Sequence, residues 1–307
     1  MCATTRSSDS RIDVAGTGFA VLDRIYADGD LTDEALGGSC GNVLVSLAML
    51  RRNVAPVLAL GDDNEGERLV QEFSRAGAVT HYICRRTDLR SPVLAQELDT
   101  ASGQHAFSFV CPETNVDLPR YEPIGETELI SALPALRRCS VFYADRLSES
   151  ILKAMRAARS AGALIFFEPS DIGEDELFDE ALRLVSILKY SDDRLGNRLA
   201  DLQPQCVRIV THGASGLEVA DAWSKVWCNA IPASSVRDTC GSGDMVTVGV
   251  IDWLLANRVE TSDLKVSDLL DGVVAGQRVA AENCAYTGAR GLFKKRGADY
   301  VRRVLAG

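Results

Sequence analysis

Short apolar segments alternate with longer amphipathic ones along most of the chain, and this alternation limits the folds open to it. A continuous apolar run of about four to eight residues is typical of a buried strand, and apolar residues at helical spacing predict a surface helix. The predicted strands are Ile12–Gly16, Val54–Leu60, Ser140–Tyr143, Leu164–Phe167, Leu184–Leu188 and Val207–Val210. The predicted helices are Asn42–Arg52, Glu65–Ala76, 148–160, 175–183, Asp244–Asn257 and Val266–Tyr286. This order predicts an α/β fold with a doubly wound, mostly parallel sheet flanked by helices, and a ligand site at the carboxyl ends of the strands.

One region departs from this alternation. The segments Ser91–Asp99 and Gln104–Val110 flank a short polar turn, and their alternating polarity predicts an antiparallel hairpin. Together with the segment that follows Gly18, the hairpin predicts a small β-sheet lid over the active site, built from about 19–36 and 88–112. An edge hairpin without a role as a lid is the alternative.

Composition excludes several classes of function. The chain has 307 residues and a formal net charge of -10, whereas a nucleic-acid partner requires a basic face. Its nine cysteines occur singly and it has three histidines, which argues against a zinc site and for reduced thiols in the cytoplasm. It lacks an apolar window of roughly 18 residues, so we expect a soluble protein without a membrane partner. The polar segment 1–11 predicts a disordered tail before one domain at 12–307.

Three glycine-rich segments were compared with known ways of holding phosphate. The segment Gly16–Val21 has valine at the third glycine position of a dinucleotide loop, and Gly61–Gly66 is followed by Glu-Arg where a P-loop needs Lys-Ser/Thr. The third segment, Gly241-Ser242-Gly243-Asp244, leads directly into an apolar helix. Its glycines allow backbone N–H groups to face one concavity, and the start of the helix adds a positive dipole end.

Asp244 gives this third segment a use in catalysis. A carboxylate beside an anion pocket can accept the proton of an alcohol whose oxygen attacks phosphorus, while the N–H groups stabilise the transferring phosphoryl. The alternative is a tight turn followed by an acid that merely suits the first turn of a helix. On local sequence alone, the two interpretations are equally supported.

Four motifs in order resemble the ribokinase-like (PfkB) carbohydrate kinase family over roughly residues 12–295. Near the C-terminus the family has Asp-Thr-x-Gly-Ala-Gly-Asp, and this chain has Asp238-Thr239-Cys240-Gly241-Ser242-Gly243-Asp244. The other three motifs are Gly37-Gly38-Ser39-Cys40-Gly41-Asn42, Gly61-Asp62-Asp63-Asn64-Glu65-Gly66 and Val210-Thr211-His212-Gly213-Ala214-Ser215-Gly216. The resemblance implies an α/β sandwich with a β lid, ATP as the phosphoryl donor, Mg²⁺, and a sugar-like substrate.

The resemblance also implies a role for each matching residue. It makes Asp244 the general base and Gly241, Ser242 and Gly243 the anion hole. The implied substrate-binding residues are Asp23, Gly37, Gly38 and Asn42, and the implied nucleotide-side residues are Lys189, Thr211, Gly213 and Gly216. Asp238, with carbonyls near Ala289, is implied to hold a monovalent cation such as K⁺. The resemblance further implies pairing of two copies through the lid sheets as a homodimer.

Each of these roles has a structural alternative. Asp23 could simply cap a turn, Asn42 could be only the N-cap of its helix, and Thr211 could only end a strand. The acids at 62–63 are expected to cap the helix that follows them. The run that begins at Lys189 departs from the family's Lys-x-Asn-x-x-Glu pattern, because Ser191 and Arg194 replace the amide and the acid unless Asp193 substitutes.

The expected function is transfer of the γ-phosphoryl group of ATP to a hydroxyl of a sugar or sugar-like molecule. A nucleoside kinase, such as one for an adenosine-like acceptor, is the first alternative, with Phe19, Phe107 or Phe109 as the wall of a base slot. A catalytically silent sugar-binding regulatory protein is the alternative from another class, motivated by the departures at Ser191 and Arg194.

Overall fold

A computed structural model of the chain describes residues 11–99, 105–199, 202, 205–259 and 264–307. The predicted tail therefore lies, apart from Arg11, outside the described residues. Within the described part of the chain, every helix is too short or too polar to cross a bilayer.

Strands supply two larger sheets and one small one. The first seven are β1 (Ile12–Thr17), β2 (Val21–Ala27), β3 (Asp30–Gly37), β4 (Val54–Pro56), β5 (Leu58–Gly61), β6 (Ile83–Arg86) and β7 (Val93–Leu98). The next seven are β8 (His105–Ser108), β9 (Cys139–Ala144), β10 (Leu164–Phe167), β11 (Ile187–Ser191), β12 (Val207–Thr211), β13 (Gly216–Ala220) and β14 (Lys225–Asn229).

Helices connect these strands and form the C-terminal part of the chain. The first six are α1 (Ser39–Met49), α2 (Asn64–Ala76), α3 (Glu126–Leu136), α4 (Glu149–Ser160), α5 (Asp175–Leu182) and α6 (Asn197–Leu199). The remaining four are α7 (Ser242–Ala256), α8 (Leu270–Asn283), α9 (Gly291–Arg296) and α10 (Ala298–Ala306).

The main sheet has eight strands in the order β14-β13-β12-β11-β10-β9-β1-β4. The six strands from β12 to β4 are parallel, and β13 and β14 extend the sheet with antiparallel pairs. The predicted doubly wound, mostly parallel sheet is confirmed. The chain passes from β1 to β4 on one side and later to β9 on the other, so β1 and β9 flank the point where the winding direction changes. Ligands of such sheets bind at this point.

Both faces of the main sheet are covered at its centre, which explains the nearly continuous apolar runs of the central strands β9 and β10. Val141 and Tyr143 of β9 pack into the core on one face with residues of α1, α7 and α8. Phe142 and Ala144 of the same strand pack on the opposite face with residues of α3, α4 and α5. Successive side chains of a strand point to opposite faces, so a strand between two cores favours apolar residues at successive positions.

The second sheet has four strands in the order β3-β2-β7-β8. Strands β2 and β3 are antiparallel, as are β7 and β8, while β2 and β7 are parallel. The predicted hairpin is therefore present, although its turn at 100–104 lies outside the described residues. The segment after Gly18 joins this sheet, as the sequence predicts.

Several element boundaries differ from the predictions. The predicted strand Val54–Leu60 is two strands, because β4 pairs in the main sheet whereas β5 pairs with β6 in a separate two-stranded sheet. The strand predicted at Leu184–Leu188 begins at Ile187, since Leu184 and Val185 still donate hydrogen bonds back to Ala181 at the end of α5. The predicted helix Val266–Tyr286 is a short 3₁₀ turn followed by α8.

Candidate active site

The residues of interest meet where β1 and β9 end and where α1 and α7 begin. Gly18 follows β1, and Asp145 follows β9, with the Asp145 carboxylate accepting the backbone N–H groups of Phe19 at 2.8 Å and Cys40 at 3.0 Å. One buried acid thus fixes both the turn after β1 and the first turn of α1. A side chain at Gly18 would overlap this carboxylate, since an added Cβ would lie 1.7 Å from Asp145 Oδ1.

The loop before α7 is held in shape by Asp238. This buried carboxylate accepts the N–H groups of Cys240 at 2.7 Å and Gly288 at 2.6 Å, which ties the loop to the segment after α8. Gly241 has φ +73°, and an added Cβ would lie 2.4 Å from the Cβ of Ala289, so glycine is required here for two reasons.

The N–H groups at the start of α7 are available to an anion. The first helical bond of α7 runs from Met245 N–H to Gly241 O, so the N–H groups of Gly243 and Asp244 precede the hydrogen-bond ladder. The Ser242 N–H and hydroxyl both donate to Thr239 O. Oriented N–H groups and the positive end of the helix dipole together favour negative charge in front of this loop.

Asp244 lies in the first turn of α7 and is buried. Its Oδ2 accepts the side-chain amide of Asn42 at 2.8 Å, a contact that joins α7 to α1 across 202 residues of sequence. Burial raises the pKa of Asp244 to about 6; the charge of Glu168 adds to the rise, and the Asn42 amide and the Lys189 ammonium oppose it. The carboxylate is therefore mostly ionised at pH 7 and still close enough to neutrality to take up a proton.

Asn42 is not a helix cap, so that alternative is wrong. Helix α1 begins at Ser39 with Gly38 in the cap position at φ 77°, and the Asn42 N–H makes a helical bond to Gly38 O. The sequence interpretation failed because Ser39-Cys40-Gly41 lacks an apolar pattern, although these residues already form the first turn. Asn42 is thus free to point its side chain at Asp244 from within the helix.

Asp23 lies on β2 of the lid sheet, opposite the Gly37-Gly38 pair. An added Cβ at Gly37 would lie 1.8 Å from Asp23 Oδ2, so a glycine is needed for the carboxylate to occupy this position. Burial raises the pKa of Asp23 to about 7, the Arg290 guanidinium opposes the rise, and the carboxylates of Asp244 and Glu72 add to it. Asp23 is part of β2 and pairs with Ala35, so the alternative of a simple turn cap is wrong.

A buried ion pair stands behind the anion-binding loop. Lys189 of β11 pairs with Glu168, which follows β10, and its ammonium lies 3.6 Å from where a Cβ of Gly243 would be. Glu168 also accepts the hydroxyls of Thr247 at 2.6 Å and Tyr143 at 3.2 Å. Lys189, 2% exposed, is thus held beside the loop as a fixed positive charge.

The predicted nucleotide-side residues lie at the end of β12, next to β11. Thr211 is the last residue of β12, and Gly213 with φ +56° opens a 3₁₀ turn that ends at Gly216. An added Cβ at Gly216 would lie 2.3 Å from Cys228 O, so the turn requires glycine there. The ring of His212 lies against Trp227 of β14, with centroids 5.1 Å apart.

The structure therefore groups the predicted residues in two neighbouring places. One place, around the starts of α1 and α7, contains Asp23, Gly37, Gly38, Asn42, Asp238, Gly241, Ser242, Gly243 and Asp244, with Lys189 behind them. The other, at the end of β12, contains Thr211, Gly213 and Gly216. Strands β10 and β11 lie between β9 and β12 in the sheet, so the two places lie at the carboxyl ends of parallel strands along one edge of the sheet.

The residues fit a metal ion that rests mainly on the nucleotide. Among the described residues, groups of three or more His, Cys, Asp or Glu side chains that could hold a metal ion are absent. After β11, Asp192, Asp193 and Arg194 are exposed. Mg²⁺ commonly takes phosphate oxygens and water as most of its ligands, with one or two carboxylates. Glu168 is a partly buried carboxylate near the loop, and its oxygens already accept from Lys189, Thr247 and Tyr143, which suits contact through water.

Three residues of the site, Glu168, Asp145 and Arg290, are not among the predicted site residues. Glu168 and Asp145 each follow a buried strand of the parallel sheet, and an acid directly after such a strand is a signal that could have singled them out. Arg290 is buried and donates from Nη2 to Leu36 O at 2.6 Å and to Glu72 at 3.1 Å. It lies in an irregular loop between α8 and α9, where sequence pattern carries no such signal.

Comparisons with known proteins identify the family of the chain. The description "pfkB family carbohydrate kinase" matches residues 30–296. A protein of Pyrococcus horikoshii assigned as a sugar kinase is 23% identical over 270 residues, which cover 79% of this chain and 82% of the relative.

Two solved structures show the same fold. The fructokinase of Xylella fastidiosa with bound ATP superimposes with a TM-score of 0.78 at 19% identity, over 96% of this chain and 99% of that one. The aminoimidazole riboside kinase of Salmonella enterica, complexed with aminoimidazole riboside and an ATP analogue, gives a TM-score of 0.73 at 21% identity, over 95% and 99% of the two chains.

Proposed function

The chain belongs to the pfkB family of carbohydrate kinases, which are ATP-dependent phosphotransferases, and on this premise we propose a specific reaction and specific roles for its residues. In this proposal the γ-phosphoryl group of ATP passes to a hydroxyl of a sugar or sugar-like small molecule. Asp244 is the general base, and the Gly241-Ser242-Gly243 loop is the anion hole.

One observation carries the proposal. Asp244 is buried at the first turn of α7, held by Asn42 at 2.8 Å, directly beside N–H groups that precede the helical ladder. A base and an anion-binding loop on the same helix start are what an alcohol attacking a phosphoryl group requires. In the reaction, the acceptor hydroxyl gives its proton to Asp244 as its oxygen bonds to the γ-phosphorus. The bond from that phosphorus to the bridging oxygen breaks, and ADP leaves.

The remaining residues orient the two substrates. Asp23 and Asn42 bind acceptor hydroxyls, and Gly37 and Gly38 let the acceptor approach the backbone closely. Lys189 stabilises negative charge on the transferring phosphoryl through its position behind Gly243, where it pairs with Glu168. Thr211, Gly213 and Gly216 border the nucleotide at the end of β12. A hydrogen bond or charge directed at the transition state is worth roughly 10²- to 10³-fold in turnover.

Two ions complete the proposal. Mg²⁺ would neutralise charge on the phosphates, held mostly by phosphate oxygens and water, with Glu168 as the nearby carboxylate. A monovalent cation such as K⁺ would rest on Asp238 and on carbonyls near Ala289. The Asp238 oxygens accept the N–H groups of Cys240 and Gly288, which places the carboxylate beside the segment that contains Ala289. Equal turnover in buffers that contain K⁺ or tetramethylammonium would contradict the proposed monovalent cation site.

A nucleoside-like acceptor is the second candidate, supported by Phe19. Its carbonyl and ring lie against Gly38, 2.2 Å and 2.9 Å from where a Cβ would be, and its ring packs against Tyr121 with centroids 5.9 Å apart. An aromatic wall next to the acceptor-binding glycines suits a base. Arg146 lies over the Phe19 ring at 4.8 Å, as Arg120 lies over the Phe109 ring at 4.7 Å, and Phe107 is 55% exposed. Phe19 is preferred because it adjoins Gly38.

A coupled assay of ADP release tests the function and separates the candidates. We expect ATP-dependent turnover of at least one ketose, aldose or polyol, with kcat/KM above that of every nucleoside in the same panel. A nucleoside as the best acceptor would replace the sugar with the second candidate. Tight binding of a sugar without any release of ADP, over a range of Mg²⁺ concentrations, would instead indicate a silent regulatory protein.

The cytoplasmic location and the homodimer through the lid stay predictions. Strand β8 is an edge of the lid sheet and carries the exposed Phe107, and Leu31 at the other edge is 42% exposed. Exposed strand edges with apolar side chains favour pairing with another strand. Light scattering coupled to size-exclusion chromatography would check this, and a Phe107→Glu variant that leaves the measured mass unchanged would contradict the lid as the interface.

A further inference from the structure

Three polar atoms around one cleft are buried without a hydrogen-bond partner among the described residues. They are Asp23 Oδ1, Asn42 Oδ1 and Arg290 Nη1. All three residues line the same cleft between the lid sheet, α1 and the loop before α9. Buried polar atoms are nearly always hydrogen-bonded, so three unpaired ones at one cleft indicate that a ligand pairs with them.

Arg290 is held so that only part of its guanidinium is used within the protein. Nη2 donates to Leu36 O at 2.6 Å and to Glu72 Oε2 at 3.1 Å, and Glu72 Oε1 accepts the Leu36 N–H at 2.7 Å. These contacts fix the guanidinium beside the end of β3, just before Gly37. The orientation of Nη1 is therefore set by the fold, since the guanidinium is planar and rigid.

The pairing of charges around the cleft decides which acceptors suit it. Arg290 is balanced by Glu72, and Lys294, which also lines the cleft, pairs with Asp33 at 3.1 Å. Asp23 and Asp244 add two further carboxylates nearby. The cleft thus lacks a surplus of positive charge with which to pair an anionic acceptor. A donor at Arg290 next to an acceptor at Asp23 suits neighbouring hydroxyl groups on an uncharged molecule.

We propose that Arg290 is a third acceptor-binding residue, which acts with Asp23 and Asn42 to select a neutral polyhydroxy acceptor over the corresponding sugar acid. The proposal rests on the function proposed above, because it assigns a further contact to the same acceptor. Arg290 Nη1 donates to one acceptor oxygen, while the Asp23 carboxylate accepts a hydrogen bond from a neighbouring hydroxyl.

The test compares the best neutral acceptor with its monodeoxy analogues and with its aldonic acid. For the parent enzyme, we expect one deoxy position to lower kcat/KM by about 10- to 100-fold, the loss of a hydrogen bond to a charged donor. We expect the aldonic acid to be at least roughly 10-fold poorer than the neutral sugar. These two arms use the unaltered protein and do not depend on how any variant folds.

Variants then assign the effect to Arg290. The lysine of Arg290→Lys cannot both replace the Nη2 contacts and supply a donor in place of Nη1. In this variant, the loss of kcat/KM for that one deoxy analogue should fall to a few-fold. The KM for ATP should stay near the parent value. Glu72→Gln is the matched control, since it weakens the clamp but leaves Nη1. It should retain the full deoxy penalty.

The outcomes separate the two proposals. An Arg290→Lys enzyme with the parent's deoxy profile would contradict the role of Arg290 and leave the kinase function intact, as would a sugar acid that proves the better acceptor. Failure of the parent enzyme to phosphorylate any member of the panel would contradict the function itself, and the role of Arg290 with it.

Discussion

Asp23 within β2, Asp145 after β9 and Asp244 at the start of α7 are buried acids, and each has a raised pKa. Burial is the largest cause in all three, and it raises the pKa of Asp145 to about 7, against the opposing charge of Arg146 and the N–H groups of Phe19 and Cys40. A raised pKa means that the folded protein binds the proton more tightly than the unfolded chain, so the ionised acid costs stability. The site therefore maintains its charges at the expense of folding free energy.

Asp23→Asn should stabilise the protein, and more so at high pH. The pKa of Asp23 rises from 3.8 to about 7 on folding, so its cost is absent below about pH 4, grows between these values and is complete above about pH 7. At 1.36 kcal/mol per unit, the upper bound is about 4 kcal/mol at pH 8 and roughly half of that near pH 5.5. Urea unfolding at both pH values measures the difference.

Asp30→Asn on β3 is the control for this prediction, because the Asp30 side chain is exposed and its charge carries no desolvation cost that the substitution could remove. An Asp23→Asn protein whose free energy of unfolding follows the parent at both pH values would contradict the account of Asp23.

The same ionisations predict that kcat/KM for the acceptor falls as pH decreases through about 7 to 6, as Asp23 and then Asp244 become protonated.

Lys189 and Glu168 should behave as a buried pair. Lys189→Met leaves the Glu168 charge without its partner, and breaking a buried pair in this way costs about 3–5 kcal/mol. The double variant Lys189→Met with Glu168→Gln should recover most of that loss, because it removes the orphaned charge. Lys153→Met is the control, since the Lys153–Glu126 pair is about half exposed and should contribute less than about 1 kcal/mol. Equal effects of the two single variants in urea unfolding would contradict the assignment.

At the scale of elements, the clearest difference between prediction and structure is the residue at which α1 begins. The apolar positions of α1 were predictable. Its first turn was not, because it follows a glycine pair and lacks the apolar spacing of a helix in Ser39-Cys40-Gly41. The turn forms because Asp145 accepts the Cys40 N–H and Gly38 adopts φ 77°. Helix α2, by contrast, begins as predicted, with Asp63 capping the Gly66 N–H at 2.8 Å. Local capping is visible in sequence, whereas capping from a distant strand is not.

Gly38→Ala should damage both stability and catalysis. Alanine at φ 77° and ψ 151°, a region that glycine almost alone adopts, is strained by about 1–3 kcal/mol, and its Cβ would lie 2.2 Å from Phe19 O, so α1 and Phe19 must move apart. We expect the KM for the acceptor to rise about 10-fold or more, because Asn42 and Asp23 then lose their alignment. Steady-state kinetics and thermal unfolding measure the two effects.

Gly77→Ala is the control for Gly38→Ala, because it introduces backbone strain without a steric clash. Gly77 ends α2 at φ 90° with open space around it, so alanine is strained there without meeting a neighbour. It should lower stability by a similar 1–2 kcal/mol while kcat and KM stay near the parent values. Kinetics equally impaired in both variants would show that general instability, and not the start of α1, explains the effect of Gly38→Ala.

At the scale of the whole molecule, the parallel sheet and the four ordered motifs were predictable, because strand–helix alternation and glycine spacing are local features of the chain. The boundary between β4 and β5 was not, since Val54–Leu60 is apolar throughout and only the choice of pairing partners divides it. The contacts of Arg290 were not predictable for the same reason, because its partner Leu36 lies 254 residues away in the sequence and becomes a neighbour only through the fold.

The most direct test of the account is Asp244→Asn, measured as turnover and ATP binding in the same preparation. Asparagine keeps the shape and the contact with Asn42 but cannot accept the acceptor's proton, so kcat should fall by about 10²- to 10⁴-fold while ATP binds as in the parent. Asp252→Asn, further along α7 and paired with Arg52 at 2.7 Å, is the matched control and should keep its turnover. An Asp244→Asn enzyme with turnover within tenfold of the parent would contradict the assignment of Asp244 as the base.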